Sequence, residues 1–211
     1  MISERDTLIL QLRTAQELLR RRAKERFATF VHFMKPDYSM QWFHAYVCEK
    51  LQAFAEGRIK KLMILMPPQH GKSELATRLL TPFLLGRNPD KKIAIASYNA
   101  TIAHKFNRAI QLYIDNPRYH ELYPRTLLNG SRLFGTKFDN AVRNMDEIDI
   151  IKEVNDPMNP GNTVREKGGK ILTVGRGGAL TSETVDVGII DDLYKDRVEA
   201  TSETISQTTW D

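Results

Sequence analysis

The fold of this 211-residue chain is decided by the stretch Lys60-Lys61-Leu62-Met63-Ile64-Leu65-Met66-Pro67-Pro68-Gln69-His70-Gly71-Lys72-Ser73. Its apolar run predicts a β-strand that leads through a tight turn into a helix beginning at the Gly-Lys-Ser triplet. The glycine lets the backbone approach an anion, the lysine can reach terminal phosphates, and the first helical N–H groups point at them. The stretch therefore predicts a phosphate-binding loop.

The loop departs from the G-x-x-x-x-G-K-[ST] pattern, because Met66 stands at the position of the first glycine. Pro67 and Pro68 follow it and have no N–H to donate to a phosphate. We therefore expect the amides that come after them to form the cradle. The ATP-binding residues predicted in this loop are Gln69, His70, Gly71, Lys72, Ser73 and Glu74. Taken alone, the segment also fits an ordinary strand-to-helix turn with a surface lysine.

A second apolar run ends in two carboxylates. Residues 185–190 are rich in β-branched side chains and are followed by Asp191 and Asp192. Phosphoryl transfer to water uses one carboxylate at the metal and another that orients or deprotonates the attacking water. We assign Asp191 to the Mg²⁺ shell together with the hydroxyl of Ser73, and Asp192 to the water. On its own, the run fits a strand that ends in a polar turn equally well.

Strand and helix patterns alternate through the rest of the chain. Residues 92–97 and 170–174 predict strands, and the apolar spacing over 102–114 predicts a helix between them. The region 123–169 is less regular, and we expect a peripheral insertion there, built around a strand or two. This order predicts an α/β fold, a P-loop NTPase of the RecA/ASCE type with a parallel sheet flanked by helices.

A helical lead precedes the phosphate loop. Ser3 and Asp6 form a helix-start signature, and apolar residues recur at helical spacing as far as Val31. A second amphipathic helix runs to about residue 56, and we expect Trp42 and Phe43 at its start to lie in the core. The sequence thus divides into an N-terminal helical region, 1–58, and a P-loop ATPase core, 59–211.

Five blocks, in this order, resemble the ATPase domain of the terminase large subunits of tailed bacteriophages. The resemblance covers about residues 38–199 and is carried by Pro67-Pro68-Gln69-His70-Gly71-Lys72-Ser73-Glu74, Ala96-Ser97-Tyr98-Asn99, Tyr119-His120-Glu121-Leu122-Tyr123-Pro124, Gly175-Arg176-Gly177-Gly178-Ala179-Leu180-Thr181 and Ile189-Ile190-Asp191-Asp192.

The resemblance implies a motor in the host cytoplasm that hydrolyses ATP with Mg²⁺ and pumps double-stranded viral DNA into a procapsid. Its implied partners are the DNA, the portal protein, the small terminase subunit and further copies of the chain in a ring on the portal. The family continues into a coupling segment and a nuclease domain that this sequence does not reach. We therefore expect an apparently truncated ATPase core that does not cut DNA.

Two further residues gain roles from the resemblance. In the family, a glutamine or aromatic residue upstream of the phosphate loop reads the adenine, and Gln41 is the candidate here. Many relatives carry arginine where Gln69 stands, so a guanidinium must come from elsewhere. Arg176, in a glycine-rich loop between two expected core strands, is the candidate arginine finger for a neighbouring subunit. A DNA contact and a purely structural turn arginine are the alternatives.

Composition agrees with these expectations. The formal net charge is +5 and the pI about 9.3, values that suit a phosphate-bearing partner and are also common among soluble enzymes. No apolar run reaches about 18 residues, so the sequence predicts no membrane association. Two other functions stay open at this point, a helicase-like nucleic-acid translocase and a nucleotide-binding assembly module with little turnover. An ATPase assay with and without DNA separates the three.

Overall fold

Helices flank a five-stranded sheet in the computed structural model, which describes residues 3–131, 134–178, 184–195 and 197–202. The part of the glycine-rich block formed by Ala179, Leu180 and Thr181 lies outside the described residues. The helices are α1 (Glu4–Glu25), α2 (Phe27–Met34), α3 (Trp42–Ala55), a π-helical turn (Glu74–Leu79), α4 (Leu80–Arg87), α5 (Ala100–Ile114), α6 (Pro117–Leu122) and α7 (Arg197–Thr201). The strands are β1 (Lys92–Ser97), β2 (Thr126–Leu128), β3 (Glu147–Asn155), β4 (Thr163–Gly175) and β5 (Val187–Ile190).

The sheet is mixed, with the strand order β2-β3-β4-β1-β5. Strands β4, β1 and β5 are parallel, as the alternating pattern predicts, but β2 and β3 are antiparallel to their neighbours. The expectation of a parallel sheet is therefore right for two of the four strand pairings and wrong for the two that involve β3. The region 123–169 contains β2 and β3, so the expected strands are present, but it is not peripheral, because Ile148, Ile150 and Ile151 of β3 are fully buried. A short turn joins β3 to β4, and there Asp156 N–H donates to Asn162 O.

The apolar run before the phosphate loop is extended but is not a sheet strand, so that prediction is wrong. Residues 62–66 pair with none of the described strands. They alternate between half-buried and exposed, and Met63 and Leu65 are 83% and 86% exposed. A cavity of about 360 Å³, lined by Leu62 and Ile64 on one side and by β5 on the other, separates the run from β5. The burial period of two is that of a strand, but none of the described strands shares hydrogen bonds with the run.

The N-terminal lead contains the expected helix start and an unexpected break. Ser3 and Asp6 form a capping box, as the sequence predicts. The helix stops at Arg26, however, where the backbone is extended, and restarts as α2. The cause lies in α3, because the side chain of Gln52 accepts a hydrogen bond from Phe27 N–H (2.6 Å) and donates one to Glu25 O (2.9 Å). A buried amide thus satisfies both backbone groups at the break.

The largest buried side chains form an aromatic cluster between the N-terminal helices and the helices beside the sheet. Phe30 lies at its centre, with ring centroids 5.3 Å from Phe83, 6.5 Å from Tyr119 and 6.3 Å from Tyr123. Phe30, Phe83 and Tyr119 are fully buried. The cluster therefore joins α2, α4 and α6 in one hydrophobic core.

The helix that follows the phosphate loop contains a π-helical turn at Glu74–Leu79, where Leu80 N–H reaches Leu75 O. Pro82 explains it. A proline has no N–H for the carbonyl four residues earlier, and its ring collides with that carbonyl, so the turn before it widens. The sequence predicts a kink or a restart at Thr81-Pro82, and the structure shows a widened turn. Within the described part of the chain, no helix combines the length and apolarity needed to cross a membrane.

Candidate nucleotide site

The carboxyl ends of β1, β4 and β5 meet at one edge of the sheet, and the segments that leave them are tied together. Tyr98 N–H donates to Asp192 O and Arg176 N–H to Ser97 O, both at 2.9 Å. Asp191 N–H donates to the carbonyl of Ala96, also at 2.9 Å. In open α/β sheets this edge is where ligands bind. The edge is therefore the first place to look for a functional site.

Lys72 brings the phosphate loop to this edge. Its Nζ lies 2.6 Å from Asp192 Oδ1 and 3.3 Å from Asp191 Oδ1, across 120 residues of sequence. The structure thus brings together the loop lysine and the two carboxylates predicted to act with it. Burial acts to lower the pKa of the Lys72 ammonium, but the hydrogen bond with Asp192 and the charges of both aspartates outweigh it, and the pKa is raised. The lysine is a fixed cation at neutral pH.

Asp191 has the environment of a cation ligand. Its side chain is 4% exposed, and one oxygen, Oδ2, accepts a hydrogen bond from the hydroxyl of Thr77 at 2.9 Å. The other oxygen, Oδ1, is buried, lies 3.3 Å from Lys72 Nζ and accepts no well-formed hydrogen bond within the described part of the chain. A buried carboxylate oxygen of this kind suits Mg²⁺, which prefers oxygen ligands. Asp191 therefore fits the metal role that the sequence gives it, and Ser73 lies one residue after Lys72 in the helix start.

Asp192 differs from its neighbour. Its side chain is 62% exposed, and its backbone has a φ of 55°. Aspartate tolerates this left-handed conformation better than most residues. The turn directs the chain away from β5 while the carboxylate stays beside Lys72 and open to water. An exposed carboxylate next to the phosphate loop can orient a water molecule, a role that buried Asp191 cannot share.

The loop itself has two residues in the left-handed region, Gln69 (φ 63°) and Gly71 (φ 80°). Glycine suits position 71 for two reasons. Its positive φ is unfavourable for other residues, and a Cβ there would lie 2.5 Å from the hydroxyl of Tyr38. The exposed His70 donates from Nδ1 to the carbonyl of Pro68 at 2.7 Å, which closes the turn after the prolines. The chain then becomes helical, with Leu75 N–H bonded to Gly71 O.

Glu74, predicted to bind ATP, is held in a side-chain network on the helix after the loop. Its oxygens accept from Lys35 Nζ and Arg78 Nη1, both at 3.1 Å, and from the hydroxyl of Tyr113. Burial acts to raise the pKa of Glu74, but the hydrogen bonds from Tyr113 and Lys35 outweigh it, so the pKa is lowered. The network anchors the π-helical turn to α2 and α5.

Replacing Glu74 with Gln is expected to destabilise the fold by about 1–2 kcal/mol at pH 7, because a charged acceptor of three hydrogen bonds is lost. Since the folded-state pKa is lowered, this contribution is present above the usual glutamate pKa and disappears as the pH falls through the lowered value. Urea unfolding of both proteins between pH 3 and 7 checks it. Glu49→Gln is the matched control, because Glu49 is 73% exposed. A pH-independent difference between wild type and Glu74→Gln would contradict the network.

On the other side of the loop lies an apolar cavity of about 780 Å³ next to the start of α3. Gln41 is the residue before α3, and its side-chain Nε2 donates to Ser39 Oγ at 3.0 Å. Trp42 is 83% exposed, so the expectation that it lies in the core is wrong, and Phe43 is only half-buried. The cavity is lined by Trp42, Phe43, Tyr46, Val47, Lys50, Leu62, Met63, Ile64, Leu65, Met66, Pro67 and His70.

Arg176 lies just beyond the end of β4 and is held within its own chain. Its guanidinium contacts Glu199 of α7 at 2.8 Å and Leu193 O at 3.4 Å. The hydrogen bond and the negative charge of Glu199 raise the pKa of Arg176, although burial opposes this. The structure thus places the arginine at the same sheet edge as Asp191 and Asp192, bound to a carboxylate.

Sequence reasoning missed two residues of the site, Thr77 and His44. Thr77 comes four residues after Ser73, so the two side chains lie on one face of the helix. This spacing could have identified Thr77 as a residue of the site. His44, whose ring lies 3.0 Å from His70 O, gave no such signal because its partner belongs to the loop backbone. No family model, curated protein or solved structure matches this chain.

Proposed function

We propose that this chain is a Mg²⁺-dependent P-loop ATPase, and that it serves as the motor of a terminase-like machine that packages double-stranded viral DNA. One observation carries the ATPase part of the proposal. The lysine of the phosphate loop lies within 3.3 Å of two consecutive carboxylates at the end of a parallel strand. The positive φ of Gly71 and the buried Asp191 Oδ1, which contacts Lys72 without a well-formed hydrogen bond, are features that a phosphate and a metal ion at this place would use.

In this proposal each residue of the site has its own role. The N–H groups from Gln69 to Ser73 and the Lys72 ammonium hold the β and γ phosphates. Asp191 and Ser73 hold Mg²⁺, which neutralises charge on the phosphates when bound. Asp192 orients the attacking water and accepts its proton. Lys72 contacts both carboxylates, and a bound triphosphate would compete with them for the ammonium.

The base has a site of suitable size beside the loop. The apolar cavity next to α3 measures about 780 Å³, within the usual range for ligand pockets. Trp42 offers an exposed ring face on which a purine can stack, and Gln41 precedes it with an amide that can donate and accept. Gln41 must exchange its hydrogen bond to Ser39 for one to the base.

Arg176 completes the proposed site from a neighbouring copy in the ring. A guanidinium at the γ-phosphate stabilises the charge of the transferring group and is worth roughly 10³ to 10⁵ in rate. The ion pair with Glu199 must open for this to happen. In the free chain the arginine is therefore held back, and we expect slow basal hydrolysis.

The motor part of the proposal rests on the five sequence blocks that resemble those of terminase large subunits. Three of these blocks contain residues at the observed sheet edge, namely Ser97, Gly175 and Asp191. The proposed partners are double-stranded DNA, the portal protein, the small terminase subunit and further copies of this chain, all in the host cytoplasm. The net charge of +5 agrees with a phosphate-bearing partner.

A steady-state ATPase assay with and without double-stranded DNA tests the proposal. We expect Mg²⁺-dependent hydrolysis that rises when DNA is present and that is lost in Lys72→Ala. Hydrolysis that single-stranded nucleic acid stimulates as well as duplex would favour a helicase-like translocase. If the chain binds ATP but hydrolyses it under none of these conditions, the result would favour an assembly module.

A further inference from the structure

His44 connects the start of α3 to the phosphate loop, and it is 8% exposed. Its Nδ1 lies 3.0 Å from Gln41 N and its Nε2 lies 3.0 Å from His70 O. A backbone N–H only donates and a carbonyl only accepts. Nδ1 must therefore be unprotonated and Nε2 must carry the hydrogen, so the ring is neutral with a fixed tautomer.

The surroundings of the ring hold it in this position. Phe43 and Tyr38 contact it, with ring centroids at 4.1 Å and 5.3 Å. A Cβ on Gly71 would lie 3.3 Å from His44 Nε2 and 2.5 Å from the Tyr38 hydroxyl, so the loop backbone rests directly on this pair. Burial raises the pKa of the Tyr38 hydroxyl to about 12.

We propose that His44 is a positioning residue that fixes the phosphate loop to the base-side end of α3. The loop carbonyl of His70 and the first turn of α3 then move as one unit. A base that stacks at Trp42 restrains this turn and, through His44, the loop. The site therefore favours a nucleoside triphosphate over a bare chain of phosphates by more than the base contacts alone provide. This inference rests on the proposed nucleotide site.

Two substitutions distinguish the contact of His44 with His70 O in the loop from its contact with Gln41 N–H at the start of α3. A Gln side chain places its amide nitrogen near the position of imidazole Nε2, whereas Asn reaches only the position of Nδ1. His44→Gln should therefore keep the hydrogen bond to His70 O, and His44→Asn should keep only the contact at Gln41 N–H. We expect His44→Asn to weaken ATP binding about 3- to 10-fold, the size of one neutral hydrogen bond, and His44→Gln to stay within about 2-fold of wild type.

Titration calorimetry with Mg²⁺-ATP and, separately, with inorganic tripolyphosphate measures the effect. We expect the ratio of the two affinities to fall in His44→Asn and to be retained in His44→Gln. A residue that only caps α3 would give the opposite order, with Asn close to wild type and Gln impaired. That order, or equal affinities in the two variants, would overturn the inference.

Amide hydrogen exchange in the nucleotide-free protein provides a measurement that does not depend on ATP. The amide of Leu75, which donates to Gly71 O of the loop, should exchange faster in His44→Asn than in His44→Gln, because only the latter keeps the loop attached. If wild type binds no ATP while this difference is present, the proposed function fails and the positioning contact stands. If the difference is absent in a protein that does bind ATP, the positioning role fails and the proposed function stands.

Discussion

Replacing Lys72 with Ala is expected to reduce ATP hydrolysis by at least about 100-fold, the cost of removing one preorganised charged donor from a phosphoryl-transfer site. The structure adds a second reason. Among the described residues, Lys72 is the cation that pairs with both Asp191 and Asp192, so its loss removes one positive charge from a site that must hold two carboxylates and a triphosphate. A steady-state assay at saturating Mg²⁺-ATP measures the loss.

Lys105→Ala is the control for the loss of a lysine, because Lys105 lies exposed on α5. It should hydrolyse ATP as wild type does. Lys72→Ala should remain folded at the assay temperature, although it loses an ion pair to a buried carboxylate. A folded Lys72→Ala protein with wild-type turnover would remove the phosphate-loop assignment altogether.

Substitution of Asp191 and substitution of Asp192 should impair different steps, the first Mg²⁺-dependent binding and the second hydrolysis. Asp192→Asn is expected to bind Mg²⁺-ATP with nearly wild-type affinity and to hydrolyse it about 10²- to 10⁴-fold more slowly, because only the group that accepts the proton of water is lost. Asp191→Asn should instead weaken the Mg²⁺ dependence of binding, since an amide is a poor replacement for a carboxylate at a metal. The difference follows from their environments, 62% exposed for Asp192 and 4% for Asp191.

Binding titrations at several Mg²⁺ concentrations, together with single-turnover hydrolysis, distinguish the two variants. Asp139→Asn, which changes an exposed carboxylate far from the loop in sequence, should match wild type in both assays. Identical behaviour of Asp191→Asn and Asp192→Asn would show that the division of roles between them is wrong.

Much of the fold follows from local sequence patterns. The strand predicted over 92–97 is β1 with the same bounds, and the capping box of Ser3 and Asp6 starts α1 as predicted. What local patterns miss depends on distant partners. Residues 62–66 have the period of a strand but no neighbour to bond with, and the break at Arg26 is caused by Gln52 on another helix. Trp42 has an apolar side chain, yet the cavity beside it leaves the ring exposed.

The residues of the candidate site were easier to predict from the sequence than the residues that hold them in place. The sequence predicts that the loop lysine and the two aspartates lie together, and the structure agrees. The physical reason holds only for the aspartates, which follow β5 at the carboxyl edge of the parallel strands, because the run before Lys72 pairs with none of the described strands. The role of Thr77 as a donor to Asp191 requires knowledge of how the loop helix faces β5. The contact of His44 with His70 O involves the backbone, which the sequence does not specify.

The central claim is that this chain holds Mg²⁺-ATP between the phosphate loop and the end of β5. The most direct test is calorimetric titration of ATP into the wild-type protein with Mg²⁺, with EDTA, and into Lys72→Ala. We predict saturable binding of one ATP per chain that weakens markedly when Mg²⁺ is removed and also weakens markedly in Lys72→Ala. Binding that is equally tight in all three titrations, or no binding by wild type at millimolar Mg²⁺-ATP, would contradict the claim.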